Sequence, residues 1–218
     1  VRAAARMLPA RAMRTNRSSA TRPMGGIAAV GSVLAVASSA RMVALAAAND
    51  PATAPAVAKL TATLIAQGKD AAASPEGAAK VAVALQAAGE DPRTAVGTDL
   101  IATVKAGIAE DGSFGAYPGP FATGLAAVAL TRAGEDIPAA LGAKLLTFQN
   151  AGGGVTYEAG QPSDADSTAL AMQALTALSD QDNLDKAIAW AKANVQADGS
   201  FAGFNKVNST AVMAAALA

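Results

Sequence analysis

Apolar residues follow two different patterns that alternate along this chain. In the first pattern they recur on one helical face, as Leu184, Ile188, Ala191 and Val195 do, with polar residues between them. Such a stripe predicts an amphipathic helix with one face on a core and the other in water. Similar stripes run through three other sets of residues: Val57, Leu60 and Leu64; Leu100, Ile101, Val104 and Ile108; and Leu141, Leu145 and Phe148.

In the second pattern the residues are apolar on nearly every side. The four segments are residues 77–88, 121–133, 166–178 and 208–218. A helix without a polar face must be covered all round, and segments of this length are too short to cross a membrane. The sequence therefore predicts an all-α fold of about four helix pairs, in which outer amphipathic helices wrap inner apolar helices.

Related segments recur at a spacing near 45 residues. Leu85 and Leu130 lie 45 residues apart within matching A-L-x-x-A-G-E-D segments, and Leu175 follows 45 residues later. Gly-rich loops also recur, because residues 111–114 and 198–201 both read D-G-S-F and residues 152–155 read G-G-G-V. A fixed period of this length predicts a repeat of one structural unit, here an outer helix, a loop and an inner helix.

This alternation, from about residue 55 to residue 218, resembles the α/α-toroid superfamily of terpenoid cyclases and protein prenyltransferase β-subunits. It is most similar to exported bacterial proteins with prenyltransferase and squalene-oxidase repeats. The cyclases carry a Q-x-x-x-G-x-W repeat, of which Gln149 and Gly153 keep the Gln and Gly while Val155 replaces the Trp. The resemblance implies that the helix pairs form an α/α toroid or an open arc.

An acidic motif, Asp164-Ala165-Asp166-Ser167, opens the third apolar segment. In class II terpenoid cyclases a D-x-D-D run supplies the acid that protonates an alkene or epoxide, so the resemblance implies catalytic roles for Asp166 and its neighbour Asp164. Ser167 stands where the last Asp would be. The alternative is helix capping, since carboxylates at a helix start accept hydrogen bonds from free backbone N–H groups. Asn208 occupies the equivalent place in the next unit, which favours capping.

Aromatic residues cluster on or beside the Gly-rich loops. They are predicted to rim one end of the helical array and to contact a ligand, because aromatic faces bind apolar and cationic groups. The alternative is that they pack the loops against the helix ends. The predicted ligand-binding residues are Phe114, Tyr117, Phe121, Tyr157, Phe201 and Phe204.

The chain contains no Cys and no His. A prenyltransferase-type zinc site would have only carboxylates as ligands, and a thioester is excluded, so neither a metal site nor a cofactor is predicted. From residue 42 onward ten basic residues face 17 acidic residues, a net charge of −7. This acidic balance argues against nucleic acid as a partner. A hydrophobic small molecule or a protein is the predicted partner.

The N-terminal part is basic and then apolar. Arg14, Arg17 and Arg22 precede the apolar residues 27–37, and no acidic residue precedes Asp50. This order predicts an upstream extension and cleaved signal peptide within residues 1–48, with a membrane anchor as the alternative. An extended linker at 49–55 and a repeat domain at 56–218 follow, the latter expected to be truncated because no C-cap signal ends its last helix. We expect secretion or cell-surface display, without a stable membrane span.

Two functions stay open at this stage. The first is an exported, non-catalytic module that binds or scaffolds a hydrophobic or cofactor-like ligand or a protein. The second is a terpenoid-cyclase-like enzyme of the squalene or hopene type, with Asp166 as general acid. The second predicts an apolar cavity into which Asp164 and Asp166 both point.

Overall fold

The computed structural model describes residues 51–203 and 205–217, apart from the side chain of Asn208. Within these ranges the fold is all-α, as predicted, with no β-strand and a 3₁₀ turn at Pro51–Thr53. The α-helices, numbered here in chain order, are α1 (Ala54–Ala71), α2 (Pro75–Ala87), α3 (Leu100–Ala106), α4 (Pro120–Arg132), α5 (Ala139–Leu146), α6 (Ala165–Ala177), α7 (Gln181–Asn194) and α8 (Lys206–Leu217).

The start of the described chain differs from the sequence-based expectation. The predicted signal peptide, residues 1–48, and the first two linker residues lie outside the described residues. Residues 51–55, predicted as an extended linker, instead form the 3₁₀ turn and the first residues of α1. Pro55 fits there because the first turn of a helix needs no N–H donor from that position.

The even-numbered helices form the centre of the fold. α2, α4, α6 and α8 pack against one another in chain order, whereas α3, α5 and α7 pack on α2, α4 and α6. Small residues permit this close packing: a Cβ placed on Gly124 of α4 would lie 3.2 Å from Leu170 O of α6. The apolar helices α2, α4 and α6 are therefore central and amphipathic helices pack on them. The prediction that segment 208–218 is also covered all round is wrong for the described part of the chain, because more than half of the described residues of α8 are exposed. No helix in the described part of the chain is long and apolar enough to span a bilayer.

Three Gly-rich loops share one backbone arrangement. In each loop the first N–H donates to the carbonyl oxygen four residues later, at 2.8 Å, and the glycine three residues later donates back to the first carbonyl at 2.8 or 2.9 Å. The loops are residues 109–113, 150–154 and 196–200. The glycines that close them, Gly112, Gly153 and Gly199, have φ values of 79°, 88° and 78°, which a side chain disfavours. Each loop leads toward an even-numbered helix.

Gln149 links its loop to the following amphipathic helix. Its Nε2 donates to Gly153 O and to Asn183 O of α7, both at 2.9 Å. The side-chain amide of Gln149 therefore stabilises the conformation of the second loop and joins this loop to α7.

Glu135 connects neighbouring units at the opposite end of the even-numbered helices. Its carboxylate binds Lys105 Nζ at 2.7 Å and Arg93 Nη2 at 2.9 Å. Hydrogen bonds and charge attraction from Lys105 and Arg93 lower the pKa of Glu135. The ionised carboxylate is thus the form that the fold favours.

Candidate functional site

The predicted site residues lie at the end of the molecule where the even-numbered helices begin. Asp164 and Asp166 are at the start of α6, and Phe121 is in the first turn of α4. A Cβ on Gly119, which precedes α4, would lie 3.6 Å from Tyr157 O in the next loop. The loop segments of successive units are therefore neighbours at this end.

Asp164 caps α6, in agreement with the capping alternative. Its Oδ1 accepts a hydrogen bond from Ser167 N at 2.7 Å, and its backbone is extended as an N-cap requires. The other oxygen, Oδ2, is buried and has no hydrogen-bond partner within the described residues. One oxygen of Asp164 thus has a structural role, and the second is unexplained.

Asp166 joins α6 to α8. Its Oδ2 accepts a hydrogen bond from Ser209 Oγ at 2.7 Å, and Ser209 is fully buried. Gly203 lies beside this pair, since a Cβ there would come within 2.8 Å of Asp166 Oδ2. Asp166 is half-buried and its carboxylate contacts the unit that follows.

Glu76 repeats this arrangement two pairs of helices earlier, at the start of α2. It stands two residues after the N-cap Ser74, as Asp166 stands two residues after Asp164. Its Oε1 accepts a hydrogen bond from Ala116 N at 2.5 Å, in the loop before α4. Burial acts to raise the pKa of Glu76, but backbone N–H groups of Glu76, Ala116 and Tyr117 and the Ser74 hydroxyl lower it overall. A carboxylate in this helical position therefore holds the following loop.

The six predicted aromatic residues separate into two groups. Phe114 is fully buried and Phe201 is 5% exposed, so both pack their loops against the core, as the alternative stated. Tyr117, Phe121 and Tyr157 are 87%, 44% and 63% exposed. Phe204 lies outside the described residues. We call the three exposed residues the aromatic patch; they are the only strongly exposed aromatic side chains of the described chain.

Lys80 adds a cation to the aromatic patch. Its Nζ lies 5.1 Å from the centroid of the Phe121 ring, which is within cation–π range. Lys80, Glu76 and Ser209 are not among the site residues that the sequence predicts. Glu76 and Ser209 could have been found by aligning the helix starts, whereas the Lys80 contact joins two helices and has no local signal.

The acidic side chains described at this end of the molecule are not grouped as metal ligands. Within the described residues no group of three or more Asp or Glu side chains is placed to hold an ion, and the chain has neither His nor Cys. The contacts described at this end of the molecule are carboxylate hydrogen bonds and one cation–π contact.

Comparison with known proteins does not assign the chain to a family. No protein-family model matches it, and no curated protein matches its sequence.

Proposed function

We propose that this chain is an exported, terpenoid-cyclase-like domain that binds a ligand or a protein without catalysing a reaction. The proposed architecture is an α/α toroid or open arc of four helix pairs. Its support is the sequence resemblance, the central row of apolar helices, and the outer position of the amphipathic ones. The basic and apolar pattern of residues 14–37 supports export.

The main support for a non-catalytic function is that both carboxylates of the acidic motif make structural hydrogen bonds. A general acid of a cyclase must deliver a proton to a hydrocarbon or epoxide. Here Asp164 Oδ1 caps a helix, and Asp166 Oδ2 is bonded to a buried hydroxyl of α8. Both contacts are explained by folding, and Glu76 uses the same helical position for the same purpose.

The aromatic patch is the proposed binding surface. Exposed aromatic side chains on neighbouring loops commonly mark a contact with a ligand or partner. The loop carrying Tyr117 is held by Glu76, and Lys80 covers part of Phe121. A restrained loop loses little entropy on binding, which favours recognition of an apolar group.

A cyclase is the second candidate, and one observation favours it. Asp164 Oδ2 is buried without a hydrogen-bond partner in the described chain. Such atoms are uncommon in folded proteins, and catalytic use is one reason for them. In this alternative Asp166 is the acid and Asp164 orients it.

Incubation of the purified protein with squalene, followed by gas chromatography, separates the two candidates. Asp166→Asn is the matched variant, because Asn keeps an acceptor for Ser209 Oγ–H but cannot donate a carboxyl proton. We expect no cyclised product from either protein. Product that forms with the wild type and is lost in Asp166→Asn would establish the cyclase and reject the binding module.

Binding at the aromatic patch is tested with the fluorescent apolar probe 1-anilinonaphthalene-8-sulfonate. We expect its emission with the wild type to fall by more than half when Tyr117, Phe121 and Tyr157 are all replaced by Ala. Ala143→Ser, at an exposed position of α5 outside the aromatic patch, is the control and should leave the emission unchanged. Equal emission from the triple variant and the wild type would show that the patch is not the binding surface.

A further inference from the structure

The aromatic patch lies at the start of α4. Tyr117 stands three residues before Pro120, which begins the helix, and Phe121 follows Pro120 directly. Tyr157 belongs to the loop of the next unit, where its carbonyl oxygen would lie 3.6 Å from a Cβ on Gly119. Two loops and one helix therefore bring exposed rings to the same end of the molecule.

One ring of the patch already carries a cation. Lys80 Nζ of α2 lies 5.1 Å from the centroid of the Phe121 ring. The face of an aromatic ring is the negative part of its quadrupole, so it attracts an ammonium group. Lys80 belongs to none of the ion pairs that the described residues form. The ammonium is thus placed by the ring and not by a salt bridge.

The charges around the patch also favour a cation. The ionised carboxylate of Glu76 accepts a hydrogen bond from Ala116 N, beside Tyr117, and the exposed Glu158 follows Tyr157. Two carboxylates therefore accompany the single ammonium of Lys80. From residue 42 onward the chain has a net charge of −7, so its overall field attracts cations and repels anions.

The hydrogen bonds at the patch indicate which kind of cation fits. An ammonium or guanidinium with N–H groups needs acceptors when it leaves water. Here Glu76 Oε1 is already bonded to Ala116 N. A quaternary ammonium has no N–H group, and its methyl groups contact aromatic faces directly. It therefore gains the attraction of the rings without needing an acceptor.

We propose that the aromatic patch binds a quaternary ammonium group, such as that of choline, and that Lys80 competes with this ligand for the ring of Phe121. This inference rests on the proposed function, because it names a ligand class for the same surface. It also reverses the usual role of a lysine in a binding site. Removal of Lys80 should strengthen binding, whereas removal of a lysine that recognises an anion would weaken it.

Solution NMR of the full chain, titrated with choline chloride at constant ionic strength, tests the proposal. We expect the ring protons of Tyr117, Phe121 and Tyr157 to shift until they saturate, with a dissociation constant in the millimolar range, because exposed cation–π contacts are weak. The neutral compound 3,3-dimethylbutan-1-ol has the shape of choline without its charge and should bind at least about fivefold more weakly. Equal binding of the two compounds, or no shift with choline, would overturn the proposal.

Two variants separate the rings from the lysine. Replacement of Tyr117, Phe121 and Tyr157 together by Leu keeps apolar side chains but removes the ring quadrupoles, so choline should bind at least about tenfold more weakly. Lys80→Gln should strengthen choline binding about two- to fivefold, because it frees the Phe121 face and removes a like charge. Lys192→Gln makes the same charge change at an exposed position of α7 and should bind choline like the wild type. A Lys80→Gln protein that binds choline no more tightly than the wild type would contradict the competition.

Sedimentation with phosphatidylcholine vesicles identifies the source of the group. Cosedimentation together with choline binding would assign the ligand to a lipid headgroup, and choline binding alone would assign it to a free solute. Failure of this inference is distinct from failure of the proposed function. Loss of 1-anilinonaphthalene-8-sulfonate emission in the triple Ala variant, without choline binding to the wild type, would keep the patch as a binding surface and reject the quaternary ammonium.

Discussion

Replacement of Gly112 by Ala places a methyl group against the backbone of α5. The added carbon would lie 1.9 Å from Ala140 O and 2.3 Å from the carbonyl carbon of Ala140. Backbone atoms cannot rotate away as a side chain does, so the loop or α5 must shift. The φ of Gly112 is also 79°, in the left-handed region that an L-residue disfavours.

Gly199→Ala is a matched control because it carries the backbone cost without the contact. Both glycines stand in a D-G-S loop, and the φ of Gly199 is 78°. A left-handed Ala costs about 1–2 kcal/mol, and the reduced freedom of the unfolded chain offsets about 0.4–1 kcal/mol of this. Forcing an extra carbon into a packed site adds about 1–3 kcal/mol. The free energy of unfolding should therefore fall by about 1 kcal/mol in Gly199→Ala and by about 2–4 kcal/mol in Gly112→Ala.

Urea unfolding followed by far-ultraviolet circular dichroism measures both losses. Similar slopes against urea would show that the substitutions change stability and not the extent of unfolding. Equal losses from the two substitutions would refute the reasoning, because the contact between Gly112 and α5 would then have no energetic effect.

Three further predictions concern the carboxylates. Ser209→Ala should lower the free energy of unfolding by about 1–3 kcal/mol, because Asp166 loses a buried hydrogen-bond donor. Urea unfolding measures this loss, and a loss no larger than that caused by Asp166→Asn would contradict the prediction. Asp164→Ala should lower stability by about 1 kcal/mol because the helix cap is lost, whereas Asp164→Asn should keep most of the stability that the cap contributes. Equal losses of stability from the two variants in thermal unfolding would show that the cap does not stabilise the protein. The stability advantage of the wild type over Glu135→Gln should be complete above the ordinary Glu pKa of 4.5 and disappear as the pH falls through the lowered pKa of the folded protein. Urea titrations at several pH values test this, and an advantage that persists in strong acid would contradict it.

The helices could be predicted from the sequence because their apolar patterns are long and distinct. Segment 121–133 is α4 (Pro120–Arg132), and segment 166–178 is α6 (Ala165–Ala177), each shifted by one residue. The shift arises where Pro120 and the cap at Asp164 begin the helices. Residues 51–55 were less predictable, because proline fits both an extended linker and a helix start.

Only those features of the candidate site that depend on neighbouring residues in the sequence could be predicted. The cap at Asp164 follows from its position before an apolar helix, and the structure has it. The partner of Asp166 is Ser209, 43 residues away, so the bond depends on how α6 and α8 pack. Exposure of the aromatic residues is also a tertiary property. Phe114 is buried and Tyr117 is exposed, three residues apart in the same loop.

The bonds that Glu76 and Asp166 make to the unit ahead of them give the molecule a nearest-neighbour stability. Glu76 bonds to the loop before α4 and Asp166 bonds to α8, so each of these two bonds joins adjacent units. Where repeats contact only their neighbours, stability is the sum of the single units and the contacts between adjacent ones. Loss of α8 removes one such contact and leaves those of α4 in place. Local unfolding should therefore begin at the terminal helices and proceed inward. The backbone amides of α4 should be the last to exchange their hydrogens with solvent.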